Sequence, residues 1–127
     1  PETIAHLHCW TVQLTREASR DDVLDAFRSS SRIALIRMRD GLVALNAVKE
    51  LMADIGRPRD NLYEVALWED LVTVRGDEAF YAYMVDNQAI VIPETIDAIR
   101  ALTAREKDAH ASIARTNAAL GIGTKLI

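Results

Sequence analysis

The sequence has one cysteine, no block of basic residues and no long apolar run, and each shortage argues against a class of protein. Its single cysteine, Cys9, cannot form an intramolecular disulfide, which argues against a disulfide-stapled secreted domain. The formal net charge is -4 and no basic cluster is present to neutralise phosphates, so we expect no nucleic-acid partner. No apolar run approaches the roughly 20 residues of a membrane-spanning helix, and no signal peptide is recognisable. We therefore expect a soluble, cytoplasmic protein without a membrane partner.

The familiar motifs of catalysis and cofactor binding are missing as well. No glycine-rich phosphate loop, no GxSxG nucleophile turn and no zinc-type spacing of cysteine and histidine occurs. The segment Gly121-Ile122-Gly123 lacks both the third glycine and the preceding strand of a dinucleotide fingerprint, so it is interpreted as a helix terminator. Composition and spacing thus give no visible active site, and we expect no metal site.

The apolar residues that are present follow two periodicities. Alternation predicts strands, and a spacing of three or four residues predicts helices. The predicted strands are 4–14, 32–38, 62–69, 71–75 and 78–85, and the predicted helices are 20–28 and 41–55, with a C-terminal helical segment from about 94. The apolar run 90–92 is interpreted as one more short strand, which leads into Pro93 at the start of the last helical segment.

Cap and turn residues support these boundaries. Ser19 precedes Asp21 and Asp22, which predicts a helix N-cap with acidic residues near the positive end of the helix dipole. Gly56 follows the second predicted helix and suits a left-handed cap. The Arg-Gly-Asp sequence at 75–77 predicts a tight turn, so the last two strands form a hairpin.

The order of elements predicts a single domain, residues 1–127, of the α+β class with a mixed, largely antiparallel sheet. Because the first two helices both follow strands, we expect both on one face of the sheet. The strand 4–14 carries apolar side chains on both sides, so the other face is expected to meet a second sheet or another subunit. We therefore predict a homo-oligomer that associates through the open sheet face. The aromatic residues expected to contribute to that face are Trp10, Trp68, Tyr81 and Tyr83.

His6 and His8 are the first candidates for chemistry. They are two residues apart on a predicted strand and point to one face, where paired imidazoles can act as a general base or bind a metal. The alternative is a pair of partly buried polar groups without a chemical role. No carboxylate or cysteine accompanies them at ligand spacing, which disfavours a metal. Cys9 faces the other way, so a Cys–His nucleophilic pair is geometrically poor and a small buried hydrophobe is the favoured interpretation.

The loop 56–59 offers a second candidate site. The guanidinium groups of Arg57 and Arg59 are suited to bidentate binding of phosphate or carboxylate. Pairing with acidic side chains of the same chain is an equally good interpretation, and the sequence leaves both open.

Four segments occur together in one order and carry a resemblance. They are SRDDVL (19–24), GRPR through WED (56–70), PETIDAIRA (93–101) and TNAALGIG (116–123). In register they resemble the C-terminal, catalytic-domain part of the archaeal (type II) glyceraldehyde-3-phosphate dehydrogenases. The opening residues 1–8 are similar to that family's strand with paired histidines, and the resemblance spans essentially the whole chain.

The resemblance implies a set of roles for individual residues. The family binds NAD or NADP with an N-terminal Rossmann domain and uses an essential cysteine nucleophile, and neither is present in this sequence. By resemblance, His6 or His8 activates that cysteine and assists hydride transfer. The family's asparagine after Pro-Glu is expected to touch the nicotinamide carboxamide, and Thr95 stands in its place. The family's His-Gln-Glu-Ser stretch is replaced by 85–89. No cofactor is therefore expected to bind this chain alone.

Two functional hypotheses follow from different classes. In the first, the chain is a fragment or engineered derivative of an NAD(P)-dependent glyceraldehyde-3-phosphate dehydrogenase of glycolysis or gluconeogenesis, and it is inactive alone. In the second, it is a stand-alone, non-enzymatic scaffold module that associates with itself.

Overall fold

A computed structural model of the chain describes residues 4–123 and 126, and this part contains five strands and four α-helices, of which the last two helices follow the last strand. The first half contains β1 (Ala5–Gln13), α1 (Arg20–Arg28), β2 (Ile33–Ile36), α2 (Leu45–Asp54) and β3 (Val65–Trp68). The second half contains β4 (Thr73–Arg75), β5 (Glu78–Asp86), α3 (Val91–Leu102) and α4 (Ala109–Leu120).

The strands form one mixed sheet in the order β1-β5-β3-β2, and β4 also pairs with β5. The β2–β3 pair is parallel, and the pairs of β5 with β1, β3 and β4 are antiparallel. In the register of this sheet His8 lies opposite Tyr83, which in turn lies opposite Leu67. The predicted α+β class with a mixed, largely antiparallel sheet is confirmed.

The prediction that the first two helices share one face of the sheet is wrong. Leu24 of α1 packs with Leu67 of β3. Val48 and Met52 of α2 pack instead with Ala66. Since adjacent residues of a strand point to opposite faces, α1 and α2 cover opposite faces of the sheet.

The reason lies in the strand order, which the sequence does not display. The β1–α1–β2 connection runs from one edge of the sheet to the other, whereas the β2–α2–β3 connection runs one strand back. Crossovers between parallel strands are right-handed, and two right-handed crossovers that travel in opposite directions place their helices on opposite faces. The open face expected from the sequence is therefore absent. What stays uncovered is the β1 side of the sheet, where Ile4, Leu7 and Trp10 are about half exposed.

The predicted caps are confirmed by their geometry. The Ser19 hydroxyl accepts the backbone N–H of Asp22, and the Asp22 carboxylate accepts the backbone N–H of Ser19, which completes a capping box. Gly56 follows α2 with φ +79°, in the left-handed region that a side chain disfavours. The 75–77 turn joins β4 to β5 as predicted.

The interpretation of 90–92 as a strand is wrong, because α3 already begins at Val91. Pro93 is the third residue of that helix, where no partner inside the helix is available for a backbone N–H, so the ring costs no hydrogen bond. The apolar run had the composition of a strand, but its Ile92 packs with Tyr63 and Ala89. The second helix also begins later than predicted, at Leu45 instead of about 41.

Helices α3 and α4 pack against each other at the end of the sheet where β2 and β3 begin and β5 ends. Arg32, directly before β2, donates hydrogen bonds to Glu94, Asp97 and Asn117. Burial acts to raise the pKa of Asp97, but hydrogen bonds from Ser112, Thr116 and Arg32 outweigh it and lower the pKa to about 2. This polar network fixes the helical pair relative to the sheet.

Within residues 4–123 and 126, no helix is both long and apolar enough to cross a membrane.

Candidate functional site

The candidate site is a cluster of rings on the β1 and β5 strands, called here the histidine–tyrosine cluster. Its members are His6, His8, Trp10, Tyr81 and Tyr83. Alternate residues of an extended strand share a face, and antiparallel pairing places the two sets side by side.

The two imidazoles are neighbours, as the sequence predicted. The ring centroids of His6 and His8 are 6.0 Å apart in an edge-to-face arrangement. His8 also stacks on Tyr83, with ring centroids 5.1 Å apart and planes inclined by only 11°. His6 is exposed and His8 is partly buried, so solvent reaches the pair and a bound molecule can do the same. Two imidazoles in such a position are able to accept or deliver protons.

The tyrosines anchor the cluster to the body of the protein. The Trp10 indole N–H donates a 3.0 Å hydrogen bond to the Tyr83 hydroxyl. Tyr81 lies between Tyr83 and Phe27 of α1, at centroid distances of 6.4 Å and 5.1 Å. Burial, helped by the neighbouring Tyr83, raises the pKa of Tyr81. Tyr83, which supports His8, is therefore held through Tyr81 by helix α1, which packs on the same face of the sheet.

Cys9 lies on the other side of the strand from the histidines. Ala5 is four residues before Cys9 and so lies on the same side of the strand, and it packs into the core beneath α2. His8 stacks on Tyr83, on the side of the sheet that α1 covers. A Cys9–histidine nucleophilic pair is therefore ruled out by geometry. The expectation that Cys9 is buried is wrong, because its thiol is exposed at the edge of the sheet.

Thr95 lies on an exposed turn of α3, and its hydroxyl donates a 2.7 Å hydrogen bond to the Val91 carbonyl of the same helix. Topology brings this helix near the start of the histidine strand. The Asn87 backbone N–H, just after β5, donates to the Ile4 carbonyl just before β1, and α3 begins four residues later. His6 and Thr95 thus lie on elements that meet at one end of the sheet.

A largely buried ion pair shapes that end of the sheet, and no sequence pattern signals it. Lys49 of α2 donates to Asp86 at 2.5 Å, and the Asp86 carboxylate also accepts the backbone N–H groups of Gln88 and Ala89. Burial acts to raise the pKa of Asp86, but these hydrogen bonds and the ammonium charge outweigh it and hold the pKa below its ordinary value. The pair fixes the turn between β5 and α3 and so helps to position Thr95.

The structure decides between the two interpretations of the loop 56–59: Arg57 forms an ion pair within the chain. Arg57 is buried and makes two hydrogen bonds to Glu64, of 2.6 and 2.7 Å. Arg59 is exposed, with φ +54°. Arg57 is therefore unavailable to a ligand. Trp68 is likewise a core residue, with its indole N–H bound to the Leu42 carbonyl.

No protein-family model matches the chain. It is similar to glyceraldehyde-3-phosphate dehydrogenases of several archaea. It is 40% identical over 122 residues to the enzyme of Methanopyrus kandleri and 40% identical over 123 residues to that of Metallosphaera sedula. It is 38% identical over 122 residues to that of Methanocaldococcus jannaschii. These matches cover 96–97% of this chain but only 35–36% of each relative. The resemblance read from the four segments is confirmed, and the chain spans about a third of the length of the proteins it matches.

Proposed function

We propose that the chain is the C-terminal part of an NAD(P)-dependent glyceraldehyde-3-phosphate dehydrogenase of the archaeal type, and that it supplies the histidine strand to an active site completed by the rest of such an enzyme. The supporting observation is the adjacency of His6 and His8 on an exposed, ring-supported face, in a chain similar to these dehydrogenases over almost its whole length.

In this proposal one of the two imidazoles takes the proton of a cysteine thiol, which then adds to the substrate aldehyde. The imidazolium returns that proton to the aldehyde oxygen, which gives a thiohemiacetal, and takes it back as hydride leaves the same carbon for the hydride acceptor of the complete enzyme and a thioester forms. Inorganic phosphate then attacks the thioester, so that the acyl phosphate forms as the C–S bond breaks and the cysteine thiolate leaves. His6 is the more exposed of the two, and His8 is stacked against Tyr83. The thiol has to come from outside this sequence, because Cys9 points away from both rings.

We propose that the nicotinamide cofactor would contact this chain only at Thr95. NAD or NADP would supply the hydride acceptor in the complete enzyme. The exposed Thr95 hydroxyl donates to its own helix, which leaves an oxygen lone pair able to accept a carboxamide N–H. The sequence has no glycine-rich loop to hold a pyrophosphate. We therefore propose that this chain alone binds no cofactor and has no dehydrogenase activity.

The test uses the isolated chain and a chimera in which it replaces the aligned third of the Methanopyrus kandleri enzyme. The isolated chain should not reduce NAD or NADP with glyceraldehyde 3-phosphate, and turnover that disappears in Cys9→Ser would overturn the proposal. In an active chimera, His6→Gln and His8→Gln should differ, with one lowering kcat by roughly 100-fold or more, the scale of general-base catalysis. Full activity in both variants would contradict the histidine assignment. Circular dichroism of each variant separates loss of chemistry from loss of fold.

The scaffold hypothesis is supported by a specific surface, and we propose that the chain forms homo-oligomers through the β1 side of the sheet. Ile4 and Trp10 are about half exposed on one side of this edge strand, and Leu7 is equally exposed on the other. An interface of ~800 Å² per partner is ordinary for such an association. Light scattering should give a dimer or larger species at high micromolar concentration that Trp10→Lys dissociates. A monomer mass for the unchanged chain would defeat this proposal.

A further inference from the structure

A concave surface lies between α3 and α4 and shares no residue with the histidine–tyrosine cluster. It is a groove of about 600 Å³, a volume within the range of small-molecule sites. Its lining residues are Ile96, Ile99, Arg100, Thr103, Arg105 and Arg115. Half of these side chains are guanidinium groups, although the whole protein carries a net charge of -4.

The three arginines are engaged to different degrees. Arg100 is fixed by hydrogen bonds to Thr116 and Ser112 and lies 3.3 Å from Asp97. Arg115 has one ion pair, with Glu106, at a loose 3.5 Å, and the arginine side chain is 65% exposed. Arg105 is exposed, and no ion pair of its guanidinium is seen with the described residues. A guanidinium has five N–H donors, so Arg105 and Arg115 retain most of their hydrogen-bonding capacity.

The backbone holds Arg105 at the mouth of the groove. Helix α3 ends in a Schellman motif. The Arg105 N–H donates to the Arg100 carbonyl, and the Ala104 N–H donates to the Ala101 carbonyl. This pattern requires a left-handed residue at Ala104, where φ is +53°. The turn folds the chain back over the end of α3, so that residue 105 lies beside the groove and does not continue the helix away from it.

We propose that this groove binds a small organic anion, a carboxylate or phosphate monoester joined to an apolar body. Arg105 and Arg115 supply forked donors that match the oxygens of such a group, whereas the Arg100 charge is already paired with Asp97. Ile96 and Ile99 give the groove an apolar part of its lining, and Ile99 is 54% exposed. An inorganic anion would use only the donors, whereas an apolar body attached to the anion would also cover the isoleucines.

Nuclear magnetic resonance titration of the isolated chain tests the proposal, with phenyl phosphate, benzoate, inorganic phosphate and benzyl alcohol as probes. Phenyl phosphate or benzoate should give saturable shifts in the backbone amides of 96–105 and 115. Inorganic phosphate should bind more weakly, and the neutral alcohol should not bind there. Which of the two organic anions binds tighter identifies the preferred head group.

Matched variants distinguish a built site from general charge. Arg105→Gln combined with Arg115→Gln should weaken the organic anion by roughly tenfold or more, because two charge-assisted contacts are lost. Arg39→Gln combined with Arg59→Gln removes the same charge from exposed loops elsewhere and should leave the affinity nearly unchanged. Equal weakening in both double variants, or shifts that never saturate, would overturn the proposal. None of these readouts depends on dehydrogenase activity, so their outcome is independent of the function proposed above.

Discussion

Replacing Arg57 should remove a large part of the free energy of unfolding of the chain, because the buried Glu64 carboxylate then loses its partner. The side chains of Arg57 and Glu64 are 7% and 2% exposed and are joined by two short hydrogen bonds. The Arg57 guanidinium also donates a 3.1 Å hydrogen bond to the Gly121 carbonyl at the end of α4, and it lies 5.3 Å from the centre of the Tyr63 ring. The pair therefore ties the loop after α2 to the start of β3 and the end of α4.

The expected magnitude follows from this burial. Breaking a buried pair by removing one partner costs about 3–5 kcal/mol, since the remaining charge has no water and no counter-charge. Domains of this size have a total free energy of unfolding of about 5–15 kcal/mol, so Arg57→Met should leave a marginal fold. Replacing both partners with apolar residues of similar volume, Arg57→Met with Glu64→Leu, should recover most of that loss.

Urea unfolding followed by circular dichroism measures the four free energies of unfolding in a double-mutant cycle, those of the unchanged chain, Arg57→Met, Glu64→Leu and the double variant. Arg59→Met is the matched control, because Arg59 is two residues away and exposed, and it should change the free energy of unfolding by no more than about 0.5 kcal/mol. A loss below about 1 kcal/mol for Arg57→Met would refute the reasoning, as would a double variant no more stable than the single one.

Two further predictions concern the α3–α4 pair. The folded pKa of Asp97 is about 2, below its ordinary value of 3.8, so this carboxylate stabilises the fold above pH 4 and that contribution is lost as the pH falls towards 2. This stabilisation amounts to about 1–2 kcal/mol after allowance for partial solvent access. In Asp97→Asn, the free energy of unfolding measured with urea should therefore fall less steeply between about pH 5 and 2. An unchanged pH slope would contradict it. Ala104→Gly should raise stability by up to about 1 kcal/mol, because glycine adopts the left-handed conformation of that position without strain. The reverse change at the end of α4, Gly121→Ala, should lower it by a similar amount, and thermal unfolding of the two variants with the same sign would argue against this account.

The parts of the fold that the sequence predicted are those set by neighbours along the chain. Ser19 caps α1 because Asp22 is three residues away, and Gly56 ends α2 because its own backbone tolerates φ +79°. The face occupied by α1 was mispredicted because it depends on the position of β2 at the far edge of the sheet, which is a global property.

The candidate site divides in the same way. The alternation along β1 was enough to place His6 and His8 side by side. Tyr83 was missed as the support of His8, since only the register of β1 against β5 brings together residues so distant in sequence. The choice between ligand binding and ion pairing at Arg57 stayed open in the sequence because the burial of Glu64 decides it.

The pairing of β1 with β5 has a consequence for the order in which the chain folds. Gln13 lies opposite Glu78, so the segment between them has to close as one loop, at an entropic cost of roughly 4 kcal/mol. The β4–β5 hairpin, by contrast, closes over a single tight turn. Strand β1 also lies at an edge, so only one strand pairs with it in the described part of the chain. We expect the amide hydrogens of β1 to exchange faster than those of β3 and β5, which would make the histidine strand the last part of the sheet to form and the first to open.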